Sequence, residues 1–138
     1  MLEYDRRQHR RKEETVAVSP IVHVDIPLRN PEADTNFYRD VFGWQIDSSM
    51  PGYPMYSAEG GPGGGFPQKG NGPQAMPGVR VYLQVPNIEA ALRQVEERGG
   101  KTVTPRIDIE GGHGAFAVFE DPSGNTMAVY QAPNRSSQ

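Results

Sequence analysis

One strand-helix unit is written twice in this chain, and the duplication becomes informative once its strands are read for what they face. The first copy runs Ile21-Val22-His23-Val24-Asp25-Ile26 into Asn30-Pro31-Glu32-Ala33, then Phe37-Tyr38 and Phe42-Gly43-Trp44. The second runs Val79-Arg80-Val81-Tyr82-Leu83-Gln84-Val85 into Asn87-Ile88-Glu89-Ala90, then Leu92 and Val95, and closes at Gly99-Gly100. Both use an Asn, one variable residue, a Glu and an Ala, and both reach a glycine over nearly the same interval. Repeated units of this kind bury their apolar faces against one another rather than folding alone.

The local patterns support two β-α-β-β-β modules. Val22, Val24 and Ile26 alternate with His23 and Asp25, as in a half-buried strand. Asn30 is placed to cap a helix with Pro31 in its first turn, and Gly43 to stop it. Ala33, Phe37 and Val41 recur at fourfold spacing, which predicts the buried face of that helix. Short strands are expected near 44–49, 53–58 and 63–67. In the second module Val79, Val81, Leu83 and Val85 form one strand face, and Arg80, Tyr82 and Gln84 the other. Asn87 caps a helix that buries Ile88, Leu92 and Val95, and strands near 101–107, 113–120 and 125–131 complete the module. Asp121-Pro122-Ser123-Gly124-Asn125 reads as the last hairpin turn.

The expected fold is therefore α+β, a curved mixed sheet around a cavity with helices on its outer face. Module one spans 19–68, a Gly/Pro-rich linker 69–78, and module two 79–132, with tails at 1–18 and 133–138. The first tail mixes Arg6, Arg7, Arg10, Arg11 and Lys12 with Glu3, Asp5, Glu13 and Glu14, has little apolar content, and is expected to be disordered. At 138 residues the chain has room for one domain. It holds no cysteine, which removes disulfides and thiolate metal sites and suits a cytoplasmic setting. A net charge of −3 gives no general drive toward nucleic acid. No apolar run approaches the roughly 18 residues that cross a bilayer.

Taken in order, several segments resemble the glyoxalase/bleomycin resistance/dioxygenase group, the vicinal oxygen chelate superfamily. They are Ile21 to Ile26, Asn36-Phe37-Tyr38-Arg39-Asp40-Val41-Phe42-Gly43-Trp44, Gly63-Gly64-Gly65-Phe66, Ala90-Ala91-Leu92 through Gly99-Gly100, and Phe119-Glu120-Asp121-Pro122-Ser123-Gly124-Asn125. The resemblance implies a fold, and a choice among lyases, dioxygenases, isomerases and metal-free binding proteins. It also implies a homodimer. Metal-dependent members draw ligands from the first and last strand of each module. Carried onto this chain, those positions fall on His23, on Arg80, on Ala128 and on the Gly63–Gly65 run. A guanidinium cannot ligate a cation, and one imidazole is too little for a catalytic metal. No cofactor is therefore expected. A divalent metal held by His23 with unconventional ligands such as Glu59, His113 or Glu120 is the alternative.

The expected function is binding of a small organic molecule, an anion in the version that uses Arg80, with a lyase, a dioxygenase or a drug-sequestering protein as competing readings. Candidate ligand contacts are His23, Tyr56, Arg80, Tyr82, Gln84, His113 and Tyr130. His23 and Arg80 are the candidates for chemistry: a fixed positive charge for a carboxylate or enolate oxygen, and a proton acceptor near neutral pH. Arg80 reads, against this, as half of a structural ion pair with a nearby acid, or as pointing outward at the start of its strand. His113, among glycines, reads as a lid or acid/base group or as an exposed loop residue. Asp25 reads as a hydrated carboxylate unless the pleat lets it orient His23. Gly60 to Gly65 lacks the Lys-Ser/Thr ending of a phosphate loop and reads as a tight strand connection.

Overall fold

A computed structural model describes residues 18–68 and 78–134, so the expectations for the tails and the linker fall largely outside the described residues. The first module comprises β1 (Ile21–Asp25), α1 (Pro31–Phe42), β2 (Gln45–Asp47), β3 (Met55–Ser57) and β4 (Gly63–Gly65). The second comprises β5 (Arg80–Gln84), α2 (Ile88–Glu97), β6 (Lys101–Asp108), β7 (Ala115–Glu120) and β8 (Thr126–Gln131). All eight strands form one mixed sheet in the order β2-β3-β4-β1-β5-β8-β7-β6, and the sheet does not close on itself.

The order is palindromic about the β1–β5 seam. β1 runs parallel to β4 and β5 parallel to β8, while β1 and β5 pair antiparallel, His23 opposite Tyr82, Val24 opposite Val81 and Asp25 opposite Arg80. An approximate twofold axis therefore passes near Val24 and Val81, relating His23 to Arg80 and Asp25 to Tyr82. Side chains alternate along a strand, so this register puts His23, Asp25, Arg80 and Tyr82 on one face. The opposite face meets the helices. Leu83 and Val85 pack with Ile88, Leu92, Val95, Ala117, Phe119 and Val129. Ile26 and Leu28 pack with Tyr38, Trp44, Ile46, Tyr56 and Phe66.

Local chemistry sets the helix ends. The Asn87 side chain accepts from the Ala90 amide at 2.8 Å, and the Ile88 amide is satisfied by Gln131 Oε1 at 2.9 Å. Asn30 occupies the corresponding position but makes no such bond. The Asp34 carboxylate instead reaches back to the residues before the helix, accepting from the Asn30 and Arg29 amides at 3.1 and 3.3 Å. Gly43 takes the left-handed conformation at φ 75°, which ends α1.

The burial of α1 departs from the fourfold pattern. Ala33 is exposed, and Phe37, Val41 and Phe42 are 52, 57 and 59% exposed. The helix turns Thr35 and Tyr38 inward instead, with Tyr38 stacked on Trp44 at 4.9 Å between ring centroids. The aromatic layer of Tyr38, Trp44, Tyr56 and Phe66 wins this face because large rings bury more area per residue than Ala33 or Val41. No helix among the described residues is long and apolar enough to cross a membrane.

Candidate functional site

Asp25 is the centre of the polar cluster on the helix-free face. It is 5% exposed. The Tyr53 hydroxyl donates to its Oδ1 at 2.6 Å, and the Tyr82 hydroxyl to its Oδ2 at 2.8 Å. His23 Nε2 lies 2.8 Å from the same Oδ1 and 2.9 Å from the Tyr53 oxygen. The His23 ring meets Tyr82 edge-on, with centroids 5.0 Å apart. A carboxylate that deep is tolerable because three donors replace its water. Asp25 is thus not a hydrated surface group, and the spacing across the pleat does let it hold His23.

Both tyrosines are kept neutral. Burial first, then the Asp25 charge and the hydrogen bond to it, pushes the Tyr53 phenol far above its usual value. Tyr82 is raised by the same causes and pulled partly back by the neighbouring Arg80.

Tyr53 escaped the sequence reading because it sits in the connection between β2 and β3, where no periodicity operates. The signal that could have found it is the Gly63-Gly64-Gly65 run. A side chain at Gly65 would strike the Tyr53 ring, and one at Gly64 would strike the Val24 carbonyl and the Tyr56 hydroxyl. The glycines are there so that two tyrosines can close over β4 from opposite faces.

Arg80 stands opposite Asp25 in the register but forms no ion pair among the described residues. Its Nε is buried without a hydrogen-bond partner. Arg80 also borders an open depression of about 470 Å³ at the strand ends, lined by Gly78, Val79, Val81, Asn125, Thr126 and Met127. His23, Asp25 and Tyr82 lie outside that lining, so the depression adjoins the polar cluster without containing it.

The other expected contacts divide. Tyr82 joins the cluster, and its ring approaches Phe116 at 6.1 Å. Gln84 pairs with Tyr130 across β5 and β8, further along the same face. The Tyr130 hydroxyl donates to the His113 carbonyl at 2.7 Å, which ties the glycine-rich loop to β8 while His113 itself is exposed. Tyr56 does not line this face. It is buried among the helix-side aromatics, stacked on Trp44 at 4.2 Å, and its hydroxyl donates to the Val24 carbonyl. Burial, then the Asp25 and Tyr38 charges, pushes its phenol up to about 12.

The described residues at these positions do not fit a divalent cation. Both Asp25 oxygens are engaged by protein donors, Arg80 is cationic, and Ala128 and Gly63 to Gly65 carry no donor side chain. Glu59 and His113 are exposed, Glu120 lies 4.0 Å from Lys101, and no group of three or more His, Asp or Glu comes together among the described residues.

Comparison with known proteins agrees with this architecture. The model of the glyoxalase/bleomycin resistance protein/dioxygenase superfamily matches residues 20–129. A glyoxylase-like domain-containing protein of Didymella fabae is 28% identical over 120 residues, covering 81% of this chain and 93% of the relative. The anthracycline biosynthesis protein DauV of Streptomyces sp. is 29% identical over 131 residues, covering 78% of this chain but 45% of its own length. The chain thus spans about half of that relative. Among solved structures, methylmalonyl-CoA epimerase from Mycobacterium tuberculosis superposes with a TM-score of 0.67 at 14% identity, over 89% of this chain and 94% of the epimerase.

Proposed function

The chain belongs to the glyoxalase/bleomycin resistance protein/dioxygenase superfamily, and on that premise we propose that its helix-free sheet face binds a small organic anion through Arg80. His23, Tyr82, Gln84 and Tyr130 form the wall, and His113 stands at the rim. The observation that carries the reading is the Arg80 Nε, buried without an acceptor in a side chain that no described acid neutralises. An unneutralised guanidinium is costly, and a ligand carboxylate presented to its terminal nitrogens would compensate the charge through charge-assisted hydrogen bonds. A positive group fixed in the protein supplies charge for the ligand oxygen without a bound cation.

The working form is proposed to be a cytoplasmic homodimer. Phe37, Val41 and Phe42 leave an apolar, exposed strip on α1, and a second copy of the same surface is the occupant most consistent with closed twofold assembly.

The test is a binding panel of short 2-oxo acids and aromatic carboxylates, each beside its neutral primary amide, followed by calorimetry. Acids should bind and amides should not. Arg80→Met should weaken acid binding by roughly 10- to 100-fold, the value of a hydrogen bond to a charged group. Equal affinity in Arg80→Met, or a preference for the amides, rejects the reading.

A further inference from the structure

We propose that His23 is the nucleophilic, proton-accepting group of this face, acting through Nδ1, and that Asp25, Tyr53 and Tyr82 are the residues that position it. This deepens the anion-binding reading and rests on it only for the ligand that His23 would meet.

Counting hydrogen-bond protons assigns the tautomer. Tyr53 and Tyr82 each own one hydroxyl proton, and both are directed at Asp25, at 2.6 and 2.8 Å. His23 Nε2 contacts Asp25 Oδ1 at 2.8 Å and the Tyr53 oxygen at 2.9 Å, and neither has a proton left to give. The proton in that contact must come from Nε2. In the neutral ring the lone pair then lies on Nδ1. Nδ1 makes no hydrogen bond among the described residues, and it is not among the buried atoms without a partner, so it is open to solvent. The edge contact with Tyr82 and the short triangle with Asp25 and Tyr53 fix the ring in place.

Arg80 is the diagonal neighbour of His23 across the β1–β5 seam, a separation of roughly 7–8 Å between backbones. An organic anion of a few carbons spans that distance. A proton on a carbon or oxygen beside its carboxylate would pass to Nδ1 and leave its electron pair on the ligand, next to the guanidinium. Nε2 would keep its proton on Asp25. Return of the proton from Nδ1 closes the cycle without a co-reactant.

The chain has no cysteine, so alkylating reagents meet no competing thiol. The protein would be treated with iodoacetate and, separately, iodoacetamide near neutral pH. Nδ1 displaces iodide as the nitrogen–carbon bond forms, and the ring keeps its Nε2 proton as an imidazolium against Asp25. Peptide mapping would compare His23 with the exposed His113 as internal reference. Expected is alkylation of His23 at Nδ1, relative to His113 roughly tenfold faster with the anionic reagent, a preference that disappears in Arg80→Met. Nitrogen-15 spectra of the unliganded protein should show Nε2 protonated and Nδ1 bare, unchanged in Tyr53→Phe and mixed in Asp25→Leu. A proton on Nδ1, alkylation at Nε2, or a His23 that stays unmodified while His113 reacts overturns the proposal. Equal rates at His23 for the two reagents uphold it and reject the anion-binding reading instead. Should Asp25→Leu fail to fold, the wild-type spectrum alone decides.

Discussion

Asp25 and Arg80 stand directly opposite each other across the β1–β5 seam, yet their charges are not joined by an ion pair. The Tyr82 hydroxyl is placed to serve both. It donates to Asp25 Oδ2 at 2.8 Å, while the nearby guanidinium favours its ionised form. Asp25 is satisfied without Arg80, and the Arg80 Nε is left without an acceptor.

The first consequence concerns stability. Arg80→Met breaks no ion pair among the described residues and relieves a buried donor without a partner, so unfolding free energy should stay within about 1 kcal/mol of the parent. Urea titration should give a similar midpoint and an unchanged slope. A loss above about 3 kcal/mol would mark Arg80 as half of a buried ion pair after all.

Asp25 should behave oppositely. Asp25→Ala strands two buried phenols and the His23 Nε2 together, for an expected loss of about 2–4 kcal/mol. Tyr53→Phe leaves Asp25 with two donors and should cost about 1 kcal/mol. The two changes should be strongly non-additive in a double-mutant cycle, because they break one network. Additive losses would mean that the Tyr53 bond in this network is energetically idle.

How much of this was legible in the sequence depends on what each residue's position rests on. Strict alternation in Ile21–Ile26 and Val79–Val85 carried the register, so His23, Arg80 and Tyr82 were assigned to a common face, as the β1–β5 pairing places them. Asn87 and Gly43 announced helix ends through chemistry internal to one turn. The α1 face was misread because Phe37 and Val41 satisfy helical periodicity while Tyr38 reaches the better partner, Trp44. Tyr53, Tyr56 and the burial of Asp25 depend on which loop closes over β4, a tertiary fact.

The glycine run gives that tertiary fact a test. In Gly65→Ala the new methyl group collides with the Tyr53 ring. The ring must move off Asp25 or β4 must shift, at a cost of about 1–3 kcal/mol. Near-ultraviolet circular dichroism should change in its tyrosine bands, and Tyr53→Phe in the Gly65→Ala background should cost almost nothing further. A full additional Tyr53→Phe loss would show that the contact survives.

The exposed strip on α1 makes a separate prediction. Phe42→Lys and Phe37→Glu alter side chains more than half exposed, so the monomer should lose little stability. Sedimentation velocity should nevertheless move from a dimer boundary to a monomer boundary. A wild-type protein that sediments as a monomer at the concentrations used for binding removes the homodimer.

Alkaline stability tests the buried phenols. The Tyr53 and Tyr82 hydroxyls are held above their ordinary value of 10.0 by burial and by Asp25, and Tyr56 is raised to about 12. A raised value means that the folded state keeps a proton the unfolded chain releases. The stability this represents is fully present below pH 10 and declines above it. Each such group contributes a slope of about 1.4 kcal/mol per pH unit until its folded value is reached. Above pH 10 the protein should therefore lose stability steeply. Absorbance titration should show these phenols ionising together with unfolding rather than before it. The double variant Tyr53→Phe, Tyr82→Phe should be less stable at neutral pH yet lose less per pH unit above pH 10, because two of the titrating groups are gone. An unchanged alkaline slope in that variant would mean that neither phenol is held protonated by the fold, and the tyrosine–aspartate network would have to be redrawn.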